Sequence, residues 1–142
     1  MADDRPAGPP PELTDEQVEF LHSMLDLARA GKTGELLGFV DQGVPVNLTN
    51  AHGDSLLILA AYNGHAELVR GLLDRGADPD RVNDRGQTAL GCAVFRQNHA
   101  ITEELLAAGA DPRKGEQNAY AVTEMFGLDA MRALLAQRPG TA

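Results

Sequence analysis

From Thr14 to Leu135 the apolar residues fall in short clusters at helical spacing, separated by stretches rich in Gly, Asp, Asn and Pro. Phe20, Leu21, Met24, Leu25 and Ala28 recur at intervals of three and four and predict the apolar face of one helix. That helix opens at Thr14, which pairs with Gln17 as a capping box. A second helix is predicted near Gly34 to Asp41. Leu68, Val69, Leu72 and Leu73 mark another, and Ile101, Leu105 and Leu106 mark a further one. Shorter helical stretches open at Ser55 and Thr88, residue types that cap an orphan backbone N–H. Breaks fall at Asn63-Gly64 and Gln97-Asn98, and Gly76 and Gly109 stand where helices should end. The Asp, Pro and Asn that follow are turn-forming, so extended turns are predicted near 44–54, 77–87 and 110–120.

The pattern repeats with a period of about 33 residues. Gly31 falls on Gly64, and Gly43 on Gly76 and then Gly109. Ala77-Asp78-Pro79 falls on Ala110-Asp111-Pro112, and Asn50 and Gly53 fall on Asn83 and Gly86. Leu57 and Ala60 fall on Leu90 and Ala93, and Leu72-Leu73 on Leu105-Leu106. Each unit reads helix, turn, helix, long turn. One unit cannot bury its apolar face alone, but stacked units can. Four units are expected, at 14–46, 47–82, 83–115 and 116–137, between disordered tails at 1–13 and 138–142. The first carries extra acidic residues, as a solvated cap requires. In the last, Leu134-Leu135 follows Leu105-Leu106 by less than a full period, so about four residues are expected to be missing, from its first helix.

The stretch Gly64–Leu90, GHAELVRGLLDRGADPDRVNDRGQTAL, resembles a junction between ankyrin repeats in its period, its GAD turn and its DRGQTAL segment. The resemblance runs from about Leu25 to Leu135. It implies an all-α ankyrin-repeat solenoid of about four helix-turn-helix units with β-turn or hairpin connections, acting in protein–protein interaction. The chain departs from the family's Thr-Pro-Leu-His run, with Ser55-Leu56-Leu57-Ile58 and Thr88-Ala89-Leu90-Gly91 in its place. Both lack the His that ties neighbouring turns. Gly91 inside a helix is expected to cost about 0.5–1 kcal/mol relative to Ala, so stability should be modest. Cys92, Leu57, Leu72, Leu73, Leu90, Leu105 and Leu106 are expected in the core.

Composition narrows the function. With 142 residues the chain fits one domain, and 43% hydrophobic with 23% charged residues is a globular balance. Only six residues are aromatic and none is Trp, so the core must be aliphatic. The longest apolar run, Leu56 to Tyr62, is far short of the roughly 20 residues that span a bilayer. The start, MADDRPAGPPPE, lacks the basic and apolar segments of a secretory signal. A single Cys forms no internal disulfide, which is compatible with a reducing cytoplasm, the expected location. The net charge of −9 disfavours nucleic acid and anionic membrane as partners. Ten of the 12 basic residues are Arg, a bias of GC-rich bacterial genomes.

No catalytic motif is present, and neither an enzyme nor a cofactor is expected. Asp78-x-Asp80-x-x-Asn83-Asp84 resembles a calcium loop, but the twelfth position is Ala89 where a Glu is needed. His22, His52, His65 and His99 lack metal-ligand spacing, and His65 is read as a packing residue in its Gly-His break. Cys92 is read as an inert core thiol. What remains is surface. In the ankyrin family the turn tips and first helices line a concave face where partners dock. The repeat register places His52, Asp54, Asp84, Arg85, Gln87, Asn118 and Tyr120 at tips, and Arg29, Tyr62, Asn63, Phe95 and Arg96 near the ends of first helices, with Phe126 extending the row. Aromatics and Arg are enriched at binding hot spots. Arg29, Arg85 and Arg96 outweigh Asp54 and Asp84 there, so a protein partner with an acidic segment is expected. A monomer is favoured. The alternatives are a self-associating structural protein, whose concave face its own copy covers, and an exported bacterial effector.

Overall fold

The computed structural model describes residues 13–137, and these form eight helices in four successive pairs. The pairs are α1 (Asp15–Ala30) with α2 (Thr33–Asp41), α3 (Leu56–Tyr62) with α4 (Ala66–Asp74), α5 (Ala89–Phe95) with α6 (His99–Ala107), and α7 (Ala119–Phe126) with α8 (Asp129–Ala136). The odd-numbered helices pack side by side as an inner row, and the even-numbered ones as an outer row. Among the described residues the only β pairings are two isolated bridges at the turns, Thr49 with Ser55 and Gln87 with Gln117. The chain is thus an all-α repeat solenoid. The tails expected to be disordered lie outside the described residues, except for exposed Leu13.

Local chemistry sets the helix limits. Thr14 and Gln17 form the reciprocal capping box. Ser55, Thr88, Asn98 and Asn118 each accept an N–H in the first turn of the helix they open. Helices end before Gly76 and Gly109, as expected. Each inner helix is followed by a residue in the left-handed region: Gly31, Gly64, Gln97 and Gly127, with φ of 71, 82, 55 and 66°. Gln97 alone carries a side chain there, at a cost of roughly 1–2 kcal/mol.

The core is a continuous aliphatic seam between the rows. Leu57, Leu72, Leu90, Cys92, Leu105 and Leu106 are buried as expected, with Leu68, Val69, Ile101 and Met131 beside them. Leu73 is a correction. It is only half-buried, because Leu68 and Leu72 form the centre of the α4 stripe and Leu73 lies on its flank. Phe20 also differs from the expected apolar face. It sits on the N-terminal part of α1, which at 16 residues is the longest helix, and stays exposed, touching Phe39 edge-on with ring centroids 5.4 Å apart.

The last unit is shortened in a different place than expected. The inner-helix caps Ser55 and Thr88 are a full period apart, whereas Asn118 follows Thr88 three positions early. The buried residues Leu72, Leu105 and Leu135 keep the same spacings. Leu105 therefore corresponds to Leu135, not Leu134. The three missing positions are lost from the turn before α7, not from the helix. The predicted third turn accordingly ends at Asn118, where the α7 cap begins.

Gly91 lies against this short turn. A Cβ on it would stand 2.8 Å from the carbonyl oxygen of Gln117. At position 91 this close backbone approach outweighs the higher helix propensity of Ala.

Other contacts replace the missing His of the turns. Asn83, 6% exposed, donates from Nδ2 to Asp54 Oδ1 at 2.7 Å and to Gln87 Oε1 at 2.9 Å. Its Oδ1 accepts the N–H groups of Arg85 and Gln87. The Asp84 N–H donates to His52 O, and the Gln117 N–H donates to Gly86 O, both at 2.9 Å. Behind the turns, Arg75 holds Asp41 of the neighbouring outer helix through two bonds of 2.7 and 3.0 Å. The Arg75 hydrogen bond keeps the Asp41 carboxyl below its usual range. His65 Nε2 donates to Arg29 O at 2.7 Å, across to the preceding inner helix, so packing does account for this His.

A candidate interaction groove on the inner-helix face

The inner row and the turn tips enclose a groove of about 560 Å³. It begins at Arg29 on α1, crosses α3 and α5, and ends on α7. Ile58, Leu59, Phe95, Val122, Met125 and Phe126 supply its apolar surface, while Asp54, Asn63, Arg85, Gln87 and Gln117 supply polar groups. Position 62 is 42% exposed and position 95 is 43% exposed, so the aromatic row reaches solvent. The rings of Phe95 and Phe126 meet edge to face at 5.2 Å, a geometry favoured by the ring quadrupoles.

Of the residues expected on the binding face, Arg29, Asp54, Tyr62, Asn63, Arg85, Gln87 and Phe95 line this groove together. Arg96 stands beside them with its guanidinium 5.4 Å from the Tyr62 ring centroid, a cation–π contact. His52 lines a smaller hollow of about 370 Å³ at the α1 end, shared with His22, Asp26 and Arg29. Asp84 is exposed at its turn and lies outside the groove lining.

Asn118 and Tyr120 are displaced from their expected tip positions by the short turn. Asn118 is the cap of α7 and accepts the Ala121 N–H at 2.8 Å. Tyr120 takes the register of core residues Leu57 and Leu90. It is half-buried, with the Arg113 guanidinium 4.8 Å and that of Arg132 6.0 Å from its ring centroid. The same shift makes Met125, 68% exposed, the true counterpart of Phe95, a residue that sequence reasoning passed over. The signal was available in Gly127, the next inner-helix break, which follows Gln97 at the same shortened interval that separates Asn118 from Thr88.

The electrostatics are uneven. Arg29 is engaged by Asp26 at 2.9 Å. Asp54 accepts Asn83 on Oδ1 and Asn50 on Oδ2, the latter at 3.2 Å. Among the described residues, neither Arg85 nor Arg96 has a carboxylate within ion-pair distance. Cys92 touches the groove from below, but burial, with a smaller effect from Asp54, pushes its thiol up to about 12, so it stays protonated near neutrality. Asp78 and Asp80 are occupied within the turns, where their Oδ1 atoms accept the N–H groups of Asp80 and Asp111. No cluster of metal-ligating side chains is found among the described residues.

The family model for ankyrin repeats, in three copies, matches residues 24–116. The chain belongs to the ankyrin repeat family. A Pseudomonas aeruginosa protein named as an ankyrin repeat protein is 53% identical over 62 residues, which cover 44% of this chain and 36% of that protein. The match thus spans about a third of the relative's length. A bacterial relative agrees with the Arg bias of the composition. Ankyrin repeats are generally protein–protein interaction modules and are typically non-enzymatic. No helix among the described residues is long and apolar enough to cross a membrane.

Proposed function

We propose that the chain is a protein-binding module of the bacterial cytoplasm, acting as a monomer, whose partner docks in the inner-helix groove. One observation carries this reading. Of the seven large hydrophobic residues exposed among the described residues, four, namely Tyr62, Phe95, Met125 and Phe126, gather on that single groove. Soluble monomers rarely leave contiguous apolar surface open without use. Flanking Arg residues on a chain of net charge −9 favour an acidic partner segment, chiefly through steering. The groove has neither an activated nucleophile nor a metal-ligand set among its described residues, so recognition is the chemistry it supports best.

The test is the double variant Tyr62→Ala with Phe95→Ala, first shown to be folded by circular dichroism. Against a partner isolated with the wild-type chain, it should lose about 2 kcal/mol of affinity or more. Undiminished affinity would place the partner elsewhere, with the acidic α1 and the outer helices as the next candidates. Light scattering of the wild-type chain tests the self-association alternative. A dimer that dissociates in the double variant would assign the groove to a second copy.

A further inference from the structure

The groove is built as rows that cross the inner helices. Asp54, Gln87 and Gln117 form the first row, each one residue before the cap of its helix, Ser55, Thr88 or Asn118. Leu59, Cys92 and Val122 line the floor. Tyr62, Phe95 and Met125 form the far row, in the last turn of α3, α5 and α7. The groove thus has a polar wall at the turn tips and an apolar wall at the helix ends. A seven-residue helix sets the walls roughly 10–12 Å apart.

The polar wall offers donors. Both Asp54 oxygens already accept, Oδ1 from Asn83 and Oδ2 from Asn50. Gln87 accepts on Oε1 from Asn83, which leaves its amide N–H groups to face the groove side. Arg85, two residues before Gln87 in the same turn, also lines the groove, and its guanidinium has no carboxylate within ion-pair distance among the described residues. The complement of this wall is a carboxylate, the acceptor whose geometry matches a guanidinium.

The floor bears on the conformation of the occupant. It consists of helix surfaces, whose backbone groups are consumed within the helices. An extended segment pressed onto it would bury backbone groups without partners. A helix brings its own hydrogen bonds, and its diameter of about 10–12 Å with side chains matches the distance between the walls.

We infer that the groove takes an amphipathic helix of another protein, lying across α3, α5 and α7. Its apolar stripe rests on the floor and the Tyr62, Phe95 and Met125 row, and carboxylates line the flank that faces Arg85. This rests on the reading of the groove as the partner site. Packed helices lie about 8–10 Å apart, so the crossing from α3 to α7 covers roughly 16–20 Å, or about three helical turns. Large apolar residues should recur along it at i, i+3 or i+4, and i+7.

The test is a display library of random peptides about four helical turns long, selected on the immobilised full chain. The expected pool carries large apolar residues at that period, Asp or Glu on one flank of the stripe, and no Pro within it. A Pro placed at the centre of an enriched peptide should abolish its binding. Phe95→Ala in the chain should weaken that peptide about tenfold or more. A repeated selection on Arg85→Glu should exchange Asp and Glu for Lys and Arg and keep the apolar period. Both residues are exposed, and melting curves check that the variants remain folded. A pool that tolerates Pro or alternates apolar and polar residues, a pool without acidic residues, or no enrichment would overturn the inference. If such a pool still loses binding to Tyr62→Ala with Phe95→Ala, the groove stands as the partner site and only the acidic helical occupant falls. Binding indifferent to that double variant removes the groove itself. A dimer of the wild-type chain that an enriched peptide dissociates would make a second copy the occupant and overturn the assignment to another protein.

Discussion

Gly91 and Gln97 show how far a residue's meaning depends on its surroundings. Helix propensity alone says that Ala at position 91 should stabilise the chain. With the Gln117 carbonyl 2.8 Å from the position of its Cβ, Gly91→Ala is instead expected to lower the melting temperature. Gln97 is the mirror case. With φ at 55°, it occupies the position that Gly fills at the other three breaks. Gln97→Gly should stabilise by about 0.5–1 kcal/mol, since the left-handed strain relieved exceeds the extra backbone entropy lost. Urea unfolding of the two variants checks both signs. Cys92 offers a third residue-level expectation. Its thiol is pushed up to about 12 in the folded chain, against an ordinary value of 9.0. Any stability linked to this thiol is fully present below pH 9. It is lost as pH rises from there towards 12, because only the unfolded chain ionises. At pH 8 a thiol reagent such as DTNB should label Cys92 only as fast as the chain opens, and rapid labelling of the folded protein would contradict its burial.

At the scale of elements, the repeat was legible because its punctuation is chemical. Gly at helix ends, Ser or Thr at caps and paired Leu at helical spacing each answer a backbone or packing requirement, so they recur wherever the element does. The length of the last turn was not legible in the same way. Leu134-Leu135 invited alignment with Leu105-Leu106, while burial aligns Leu105 with Leu135. Two adjacent leucines cannot show which of them faces inward. The cap at Asn118 settles the register, because its side chain accepts the Ala121 N–H. The same ambiguity explains Leu73, which the pair motif placed in the core and the helix leaves on its flank. Leu72→Ala and Leu105→Ala should each cost about 2–5 kcal/mol, and Leu73→Ala clearly less, measured by chemical denaturation. Equal losses at Leu72 and Leu73 would contradict the α4 orientation.

At the scale of the molecule, each unit packs chiefly against its neighbours, so stability is approximately a sum of unit and interface contributions. The same architecture makes the proposed binding face from residues distant in sequence, with Arg29, Tyr62 and Phe95 spaced one repeat apart. That row could be read from the period alone. Met125 could not, because the shortened turn moves it out of the repeat register. Tyr120 was misplaced at a tip for the same reason. The groove's volume and the edge-to-face packing of Phe95 on Phe126 depend on how α5 and α7 sit together, which no spacing in the sequence specifies. The central claim is that the partner contacts the inner row and not the outer one. A photoreactive p-benzoyl-phenylalanine at position 95 keeps an aromatic ring in the groove, and the same group at exposed Glu103 on α6 probes the outer row. On irradiation in cells of the source organism, the account predicts a discrete protein adduct from position 95 that Tyr62→Ala suppresses, and none from position 103. An adduct from position 103 with none from position 95 would contradict it.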